Sequence, residues 1–228
     1  MKKIIVITGG NRGLGKALID VTLKDENAFI VSLSRSVHEE HKAISDSKMI
    51  FIKTDLADPF LDSIFEIITE KLNAETNVYF FNNASIIFPI DKIGSFKELD
   101  IATSIKVNVN YPVSLINALL RLFPKNKKIL VNISSGAGNR PIPYWSLYGA
   151  AKAYLKLFFM VLEEENKEDS LLFLHSIDPG VLDTKMQEDI RQSTFPNQDY
   201  FKSLKKDNKL IQPEDAALSI LNEINYFE

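Results

Sequence analysis

The sequence predicts an α/β fold, a doubly wound parallel sheet with helices on both faces. Three observations carry that expectation. Short apolar runs rich in β-branched residues recur along the chain, amphipathic helical patterns fill the intervals, and a glycine-rich turn follows the first run. Continuous apolar runs suit strands buried on both faces. Strand-helix alternation requires right-handed crossovers, which put helices on either side of the sheet.

Six strands are expected, over Ile4–Ile7, Phe29–Leu33, Met49–Ile52, Val78–Phe81, Ile129–Ile133 and Leu171–Ile177. The helical patterns run from Leu14 to Lys24, Phe60 to Leu72 after Asp58-Pro59, Ile101 to Phe123, Leu147 to Glu165, and Glu214 to Ile224 after Pro213. Proline at these entries suits the first turn of a helix, where its missing N–H costs nothing. With 228 residues, no repeat and no linker-like stretch, a single domain spanning 1–228 is expected.

Composition narrows the function. The balance of 27 basic against 30 acidic residues leaves a net charge of −3, so no positive field recruits nucleic acid or an anionic membrane. The absence of cysteine removes disulfides, thiol catalysis and thiolate metal sites, and points to a cytoplasmic protein. The apolar run Ile4 to Ile7 in MKKIIVITGG is too short for a signal-peptide core or a membrane span. His38, His41 and His175 form no ligand motif, and His175 reads as a core imidazole, so no metal is expected.

The turn TGGNRGLGKA, residues 8–17, reads as a phosphate cradle in two ways. Gly10, Gly15 and Lys16 have the spacing of a triphosphate loop, G-x-x-x-x-G-K-[ST], but position 17 is alanine, and the hydroxyl that would hold Mg²⁺ is missing. Thr8, Gly9, Gly13 and Gly15 spell T-G-x-x-x-G-x-G instead. Between a strand and a helix, that pattern brings a dinucleotide pyrophosphate onto free N–H groups at the positive helix end. Alone it would equally describe a tight turn without a ligand.

Further motifs agree with the dinucleotide reading. FFNNAS at 80–85, KVNVNYP at 106–112, VNISSGAG at 131–138, YGAAK at 148–152 and DPGVLDTKM at 178–186 occur in order along nearly the whole chain. Together with the glycine turn they resemble the short-chain dehydrogenase/reductase family, whose fold is a Rossmann-type sheet. The resemblance implies a catalytic set of Ser135, Tyr148, Lys152 and Asn108. Ser135 is preferred to Ser134 because it stands thirteen positions before the tyrosine, as in the family. Asn108 is expected to hold a water behind the lysine, and Lys152 to hold the nicotinamide ribose. The implied cofactor residues are Gly9, Asn11, Arg12, Gly13, Leu14 and Gly15 in the turn, Ser34 and Arg35 after the second strand, and Asp55 and Leu56 after the third. Asn83, Ala84, Ser85, Pro179, Gly180, Val181 and Thr184 complete them, with Tyr148 and Lys152. Ser85 departs from the N-N-A-G pattern by adding a side chain near the nicotinamide ribose.

The chemistry also follows from the residues. Tyr148 and Lys152 are four apart on a predicted helix and share one face, so an ammonium is expected to lower the phenol pKa from about 10. A random Y-x-x-x-K is usually an ordinary helix pair; its placement with the other motifs at strand C-terminal ends makes catalysis the expectation. In carbonyl reduction Tyr148 would protonate the developing alkoxide while Ser135 polarises the carbonyl oxygen.

The second strand ends in SLSRS, with Arg35 where an acid would meet the ribose hydroxyls of NAD. A guanidinium suits the extra phosphate of NADP, with Arg12 as a second cation on the same side, so NADP(H) is the expected cofactor. YWSLYGAAK and the spacing from Arg191 to KLIQPED look most like the sepiapterin reductase and benzil reductase branch. Phe88, Tyr144, Trp145 and Met186 are candidate pocket residues for a flat, apolar ketone or vicinal diketone, though Trp145 reads equally well as packing. The chain stops at Glu228, short of the family's usual final strand and its pterin-anchoring acid, which favours a general carbonyl reductase. The resemblance implies a homodimer through the Ile101–Phe123 and Leu147–Glu165 helices. The competing class is an NADP redox sensor without turnover, expected to lose the tyrosine or lysine. A nucleotide-sugar epimerase or dehydratase would be expected in a longer chain. Residues 185–212 are a candidate lid.

Overall fold

The computed structural model describes residues 2–228. Six strands, β1 (Lys3–Thr8), β2 (Ala28–Ser34), β3 (Met49–Lys53), β4 (Asn77–Asn82), β5 (Lys128–Ile133) and β6 (Leu172–Ile177), form one sheet in the order β3-β2-β1-β4-β5-β6. Every neighbouring pair is parallel. The order reverses between β1 and β4: the chain winds outward through β2 and β3, returns beside β1, and winds the other way.

Alternation within β1 explains the two faces. Ile4 and Val6 enter one core with Phe65, Leu115 and Phe159, while Ile5 and Ile7 enter the other with Leu18, Ile220 and Leu221; all four β1 side chains are fully buried. The first face is covered by α2 (Ile64–Lys71), α4 (Tyr111–Leu122) and α5 (Ser146–Glu165), and the second by α1 (Gly13–Thr22) and α8 (Pro213–Glu223). Between β4 and α4 lies α3 (Glu98–Ile105), and after β6 come α6 (Lys185–Gln192) and α7 (Gln198–Lys206).

Two helices differ from expectation. α2 starts at Ile64, because Phe60 is half-buried from a loop, its ring against Tyr111 (5.4 Å) and Phe65 (6.0 Å), rather than by helical periodicity. The helix expected over 101–123 begins at Glu98 and contains a π turn, Lys106–Asn110, between α3 and α4. Pro112 has no N–H to give the Asn108 carbonyl, so α-helical spacing breaks there.

Buried side chains pin the strand ends at the reversal. The Thr8 hydroxyl accepts from the backbone N–H of Asn83 (3.1 Å) and Ala84 (3.0 Å), and Asn83 Nδ2 donates to the Thr8 carbonyl (2.8 Å). One layer below, Asn82 Nδ2 donates to Asn132 Oδ1, and Asn132 Nδ2 to Ser176 Oγ, each at 3.0 Å. That ladder locks the register of β4, β5 and β6. Thr8→Val keeps the β-branched shape but leaves the Ala84 N–H without its acceptor. A loss of about 2 kcal/mol and a fall in Tm of about 4–8 °C are expected in thermal unfolding; an unchanged Tm would refute the role of this hydroxyl.

Candidate active site

A cavity of about 550 Å³ opens over the C-terminal ends of the strands, where ligands bind in open parallel sheets. At its centre is the start of α1. Gly13 has φ +54°, a left-handed conformation that disfavours side chains, and a Cβ on Gly15 would stand 2.2 Å from the Gly9 carbonyl oxygen. No side chain caps α1 and its first turn holds no acid, so its free N–H groups and positive end are available to an anion. Lys16 is spent elsewhere, 2.7 Å from both Asp20 and Glu40, and does not line the cavity. The geometry therefore offers a triphosphate nothing beyond what the missing hydroxyl already denied.

One arm of the cavity reaches the ends of β2 and β3. Ser34, Arg35, Asp55 and Leu56 line it, with Asn11 and Arg12 opposite. Asn11 Nδ2 donates to Ser36 Oγ (3.0 Å), and Ser34 Oγ to the Ser36 carbonyl (2.9 Å), which shape the wall there. Arg12 and Arg35 are exposed, and among the described residues neither has a carboxylate within 4 Å. The other arm carries Asn83, Ala84 and Ser85 on one side and Pro179, Gly180, Val181 and Thr184 on the other. Thr184 caps α6, accepting from the Gln187 N–H at 3.4 Å. Of the expected cofactor residues only Gly15 lies off the cavity surface, packed beneath the turn. A dinucleotide fits this extended groove: backbone N–H groups for its pyrophosphate at the middle, cations at one end, titratable groups at the other.

Those titratable groups are Ser135, Tyr148 and Lys152, which line the cavity together. Ser135 follows β5, and its hydroxyl accepts from the Ala137 N–H at 3.2 Å. Tyr148 and Lys152 lie on α5, both buried, with the ammonium 5.6 Å from the phenol ring centroid. Lys152 Nζ donates to the carbonyl of Ile133 at the end of β5 (2.7 Å), which ties helix to strand. Burial depresses Lys152 to about 8, opposed by the charge of Asp178. Burial also lifts Tyr148 to about 12, opposed by a hydrogen bond with Ser135 and reinforced by Asp178. That direction is opposite to the one expected from the Tyr148-Lys152 pair alone, since removal of the phenol from water is the largest cause.

The side chain of Asn108 is bonded to the loop after β4. Its Oδ1 accepts from Ser85 Oγ and the Ile86 N–H, each at 2.9 Å; its Nδ2 donates to the Ile86 carbonyl (2.8 Å) and Ser104 Oγ (3.3 Å). An amide with two donors and two accepting lone pairs is then fully used, so a water held at Asn108 would bind its backbone carbonyl, which Pro112 leaves without an α-helical donor. Asn108 lies off the cavity and acts on it by clamping the loop after β4. The added hydroxyl of Ser85 belongs to this clamp.

Of the expected pocket residues, Trp145 and Met186 line the cavity, whereas Phe88 and Tyr144 do not. Phe88 is 48% exposed. Tyr144 has φ +72°, turning the chain into α5, and its carbonyl accepts from the Asp91 N–H. The missed wall comprises Ile87, Arg140, Ile142, Gln187, Ile190, Tyr200 and Phe201. The spacings Met186/Ile190 and Phe201/Leu204 were its sequence signal, an apolar stripe on two short helices in a segment read only as a lid. Trp145 stacks on Phe201 (5.0 Å) and meets Tyr148 edge-on (5.8 Å), so it both packs and lines. The histidines stand apart from the site: His41 Nε2 is 2.7 Å from Asp20, and His175 is half-buried in β6. Among the described residues, no helix is long and apolar enough to cross a membrane.

The buried ammonium of Lys152 carries a stability cost. Its folded-state pKa is depressed from 10.5 to about 8, so the penalty is full below pH 8 and is relieved as pH rises from there to 10.5. Each tenfold change in proton affinity is worth about 1.4 kcal/mol, less the lost bond to Ile133. Lys152→Met is expected to be more stable than the parent by about 1–3 kcal/mol at pH 7, with the gap closing toward pH 10.5. Urea denaturation across that range checks it; a variant less stable at pH 7 would overturn the account.

The sequence pattern of the short chain dehydrogenase family matches residues 3–194. A benzil reductase ((S)-benzoin forming) of Bacillus cereus is 31% identical, with 96% of this chain and 93% of that protein covered. Its namesake in Bacillus subtilis (strain 168) is 28% identical over 96% and 92%. Among solved structures, the KRED1-Pglu enzyme aligns with a TM-score of 0.80 at 28% identity over 95% and 92% of the chains. ElxO with NADP bound aligns at 0.78 and 25% identity over 97% and 90%. With its sheet reversal, glycine turn and Ser-Tyr-Lys wall, the chain belongs to the short-chain dehydrogenase/reductase family of oxidoreductases.

Proposed function

We propose that this protein is an NADPH-dependent carbonyl reductase acting on small aromatic or vicinal-dicarbonyl substrates. The observation that carries the reading is the convergence of Ser135, Tyr148 and Lys152 on one wall of a groove that starts at unpaired arginines and crosses an uncapped helix end. Bound reduced nicotinamide supplies the hydride that forms the new C–H bond. The chain's own groups handle the oxygen. The Ser135 hydroxyl donates to the carbonyl and polarises it. Tyr148 Oη gives its proton to the developing alkoxide, and solvent restores it. A phenol lifted to about 12 stays protonated through neutrality, as a proton donor in reduction requires. Lys152, held by the Ile133 carbonyl, stabilises the transient phenolate while it remains charged.

Arg12 and Arg35, without acidic partners, suit a 2′-phosphate, and their charge supports NADPH over NADH. The aromatic wall of Trp145 and Phe201, with Ile142 and Ile190, supports a flat apolar substrate, in keeping with the named activity of the Bacillus relatives. Exposed Tyr154, Leu157, Met160 and Val161 on α5 support a homodimer.

The test is NADPH consumption with benzil. Turnover to benzoin is expected, faster with NADPH than NADH. Tyr148→Phe should lose about 10²–10⁴-fold in kcat/KM with NADPH affinity unchanged, and Arg35→Ala should raise KM for NADPH about tenfold but not for NADH. Inactivity on aromatic diketones alongside activity on aliphatic sugars would overturn the substrate class; equal use of both cofactors would overturn the preference. Light scattering is expected to give twice the chain mass, and a monomer would refute the dimer.

A further inference from the structure

Two residues that line the cavity each carry a buried donor with no acceptor among the described residues: Nε2 of Gln187 and Nε1 of Trp145. Gln187 is only 3% exposed. Its amide orientation follows from its neighbour: Arg191 Nη1 donates to Gln187 Oε1 at 2.6 Å, and a guanidinium only donates. The oxygen must face Arg191, which leaves the NH₂ group as the unpaired end. Arg191 is fixed in turn from α7, because Gln198 Nε2 donates to its carbonyl at 2.9 Å. The apolar neighbours of Gln187 on α6 face one cluster. Met186 and Ile190, before and one turn after Gln187 on α6, join the cluster of Trp145 and Tyr148.

An unpaired buried donor in an apolar wall favours a ligand that brings an acceptor to it. The positive charge beside it is already directed at Oε1, and the free end is a neutral amide, so the matching group is a neutral oxygen. We propose that Gln187 is a specificity-determining residue whose Nε2 donates to the second carbonyl oxygen of a vicinal dicarbonyl while Ser135 and Tyr148 take the first. The assignment rests on the carbonyl reductase reading of the same site. A simple ketone of the same size fills the cavity but brings no acceptor to the Gln187 donor, and discrimination arises from the hydrogen bond that only the dicarbonyl gains.

The experiment compares benzil with deoxybenzoin, which keeps both phenyl rings and replaces one carbonyl by CH₂. In Gln187→Leu, kcat/KM for benzil is expected to fall about 10- to 100-fold, while that for deoxybenzoin stays within about threefold. Gln187→Glu, nearly the same size but ionised beside Arg191 and without a donor, should match the leucine variant. A purely structural role would lower both substrates together, so retained deoxybenzoin turnover and an unchanged Kd for NADPH separate the two. Equal losses, or no loss on benzil, would overturn the assignment and leave the reductase reading standing. A parent enzyme inert to both ketones would overturn both.

Discussion

The Thr8 hydroxyl carries a disproportionate share of the architecture. It joins the end of β1 to the start of the loop after β4, at the one place in the sheet where adjacent strands send their chains in opposite directions. A crevice is unavoidable there, because the following segments diverge. Its width depends on how far the two strand ends separate, and the Thr8 and Asn83 bonds set that separation. Gly15 extends the constraint: with no Cβ, α1 seats directly on the Gly9 carbonyl, and the helix end meets the crevice at its midpoint.

The far side of the crevice is held by a second polar device. Asn108 sits in a π turn and spends its whole amide on Ser85, Ile86 and Ser104, fixing the loop that Thr8 begins. The Asn82-Asn132-Ser176 ladder then keeps β5 in register with β4, which sets the height at which Ser135 leaves the sheet. Lys152 closes the circuit by bonding to the last carbonyl of β5 from α5. The candidate catalytic groups, which come from distant segments, are thus positioned by buried polar contacts on a rigid frame, rather than by flexible loops.

Most of the frame was legible in the sequence. Strands buried on both faces leave uninterrupted β-branched runs, and the glycine turn, SSG and Y-x-x-x-K stretches carry their spacing openly. What was not legible depended on tertiary contact. Phe60 mimicked a helix start because burial in a loop and burial on a helix look alike in one dimension. Burial pushes the Tyr148 phenol up, and Tyr148 is buried in a cluster with Trp145 and apolar residues of α6 and α7, whose stripe was too short to identify as a pocket wall. The partners of Asn108, Ser85 and Ile86, lie on another element, so no spacing rule could reveal that its amide was already occupied. The orphan donors of Gln187 and Trp145 are invisible to sequence reasoning, since satisfaction of a hydrogen bond is a property of space.

The stacked position of Trp145 has an optical consequence. It is the chain's one tryptophan, and it packs against the Phe201 and Tyr148 rings on the cavity wall. Indole emission from this molecule therefore originates at a single, buried point beside Tyr148. Quenching or energy transfer from that fluorophore reads occupancy of the groove directly, without a label and without turnover.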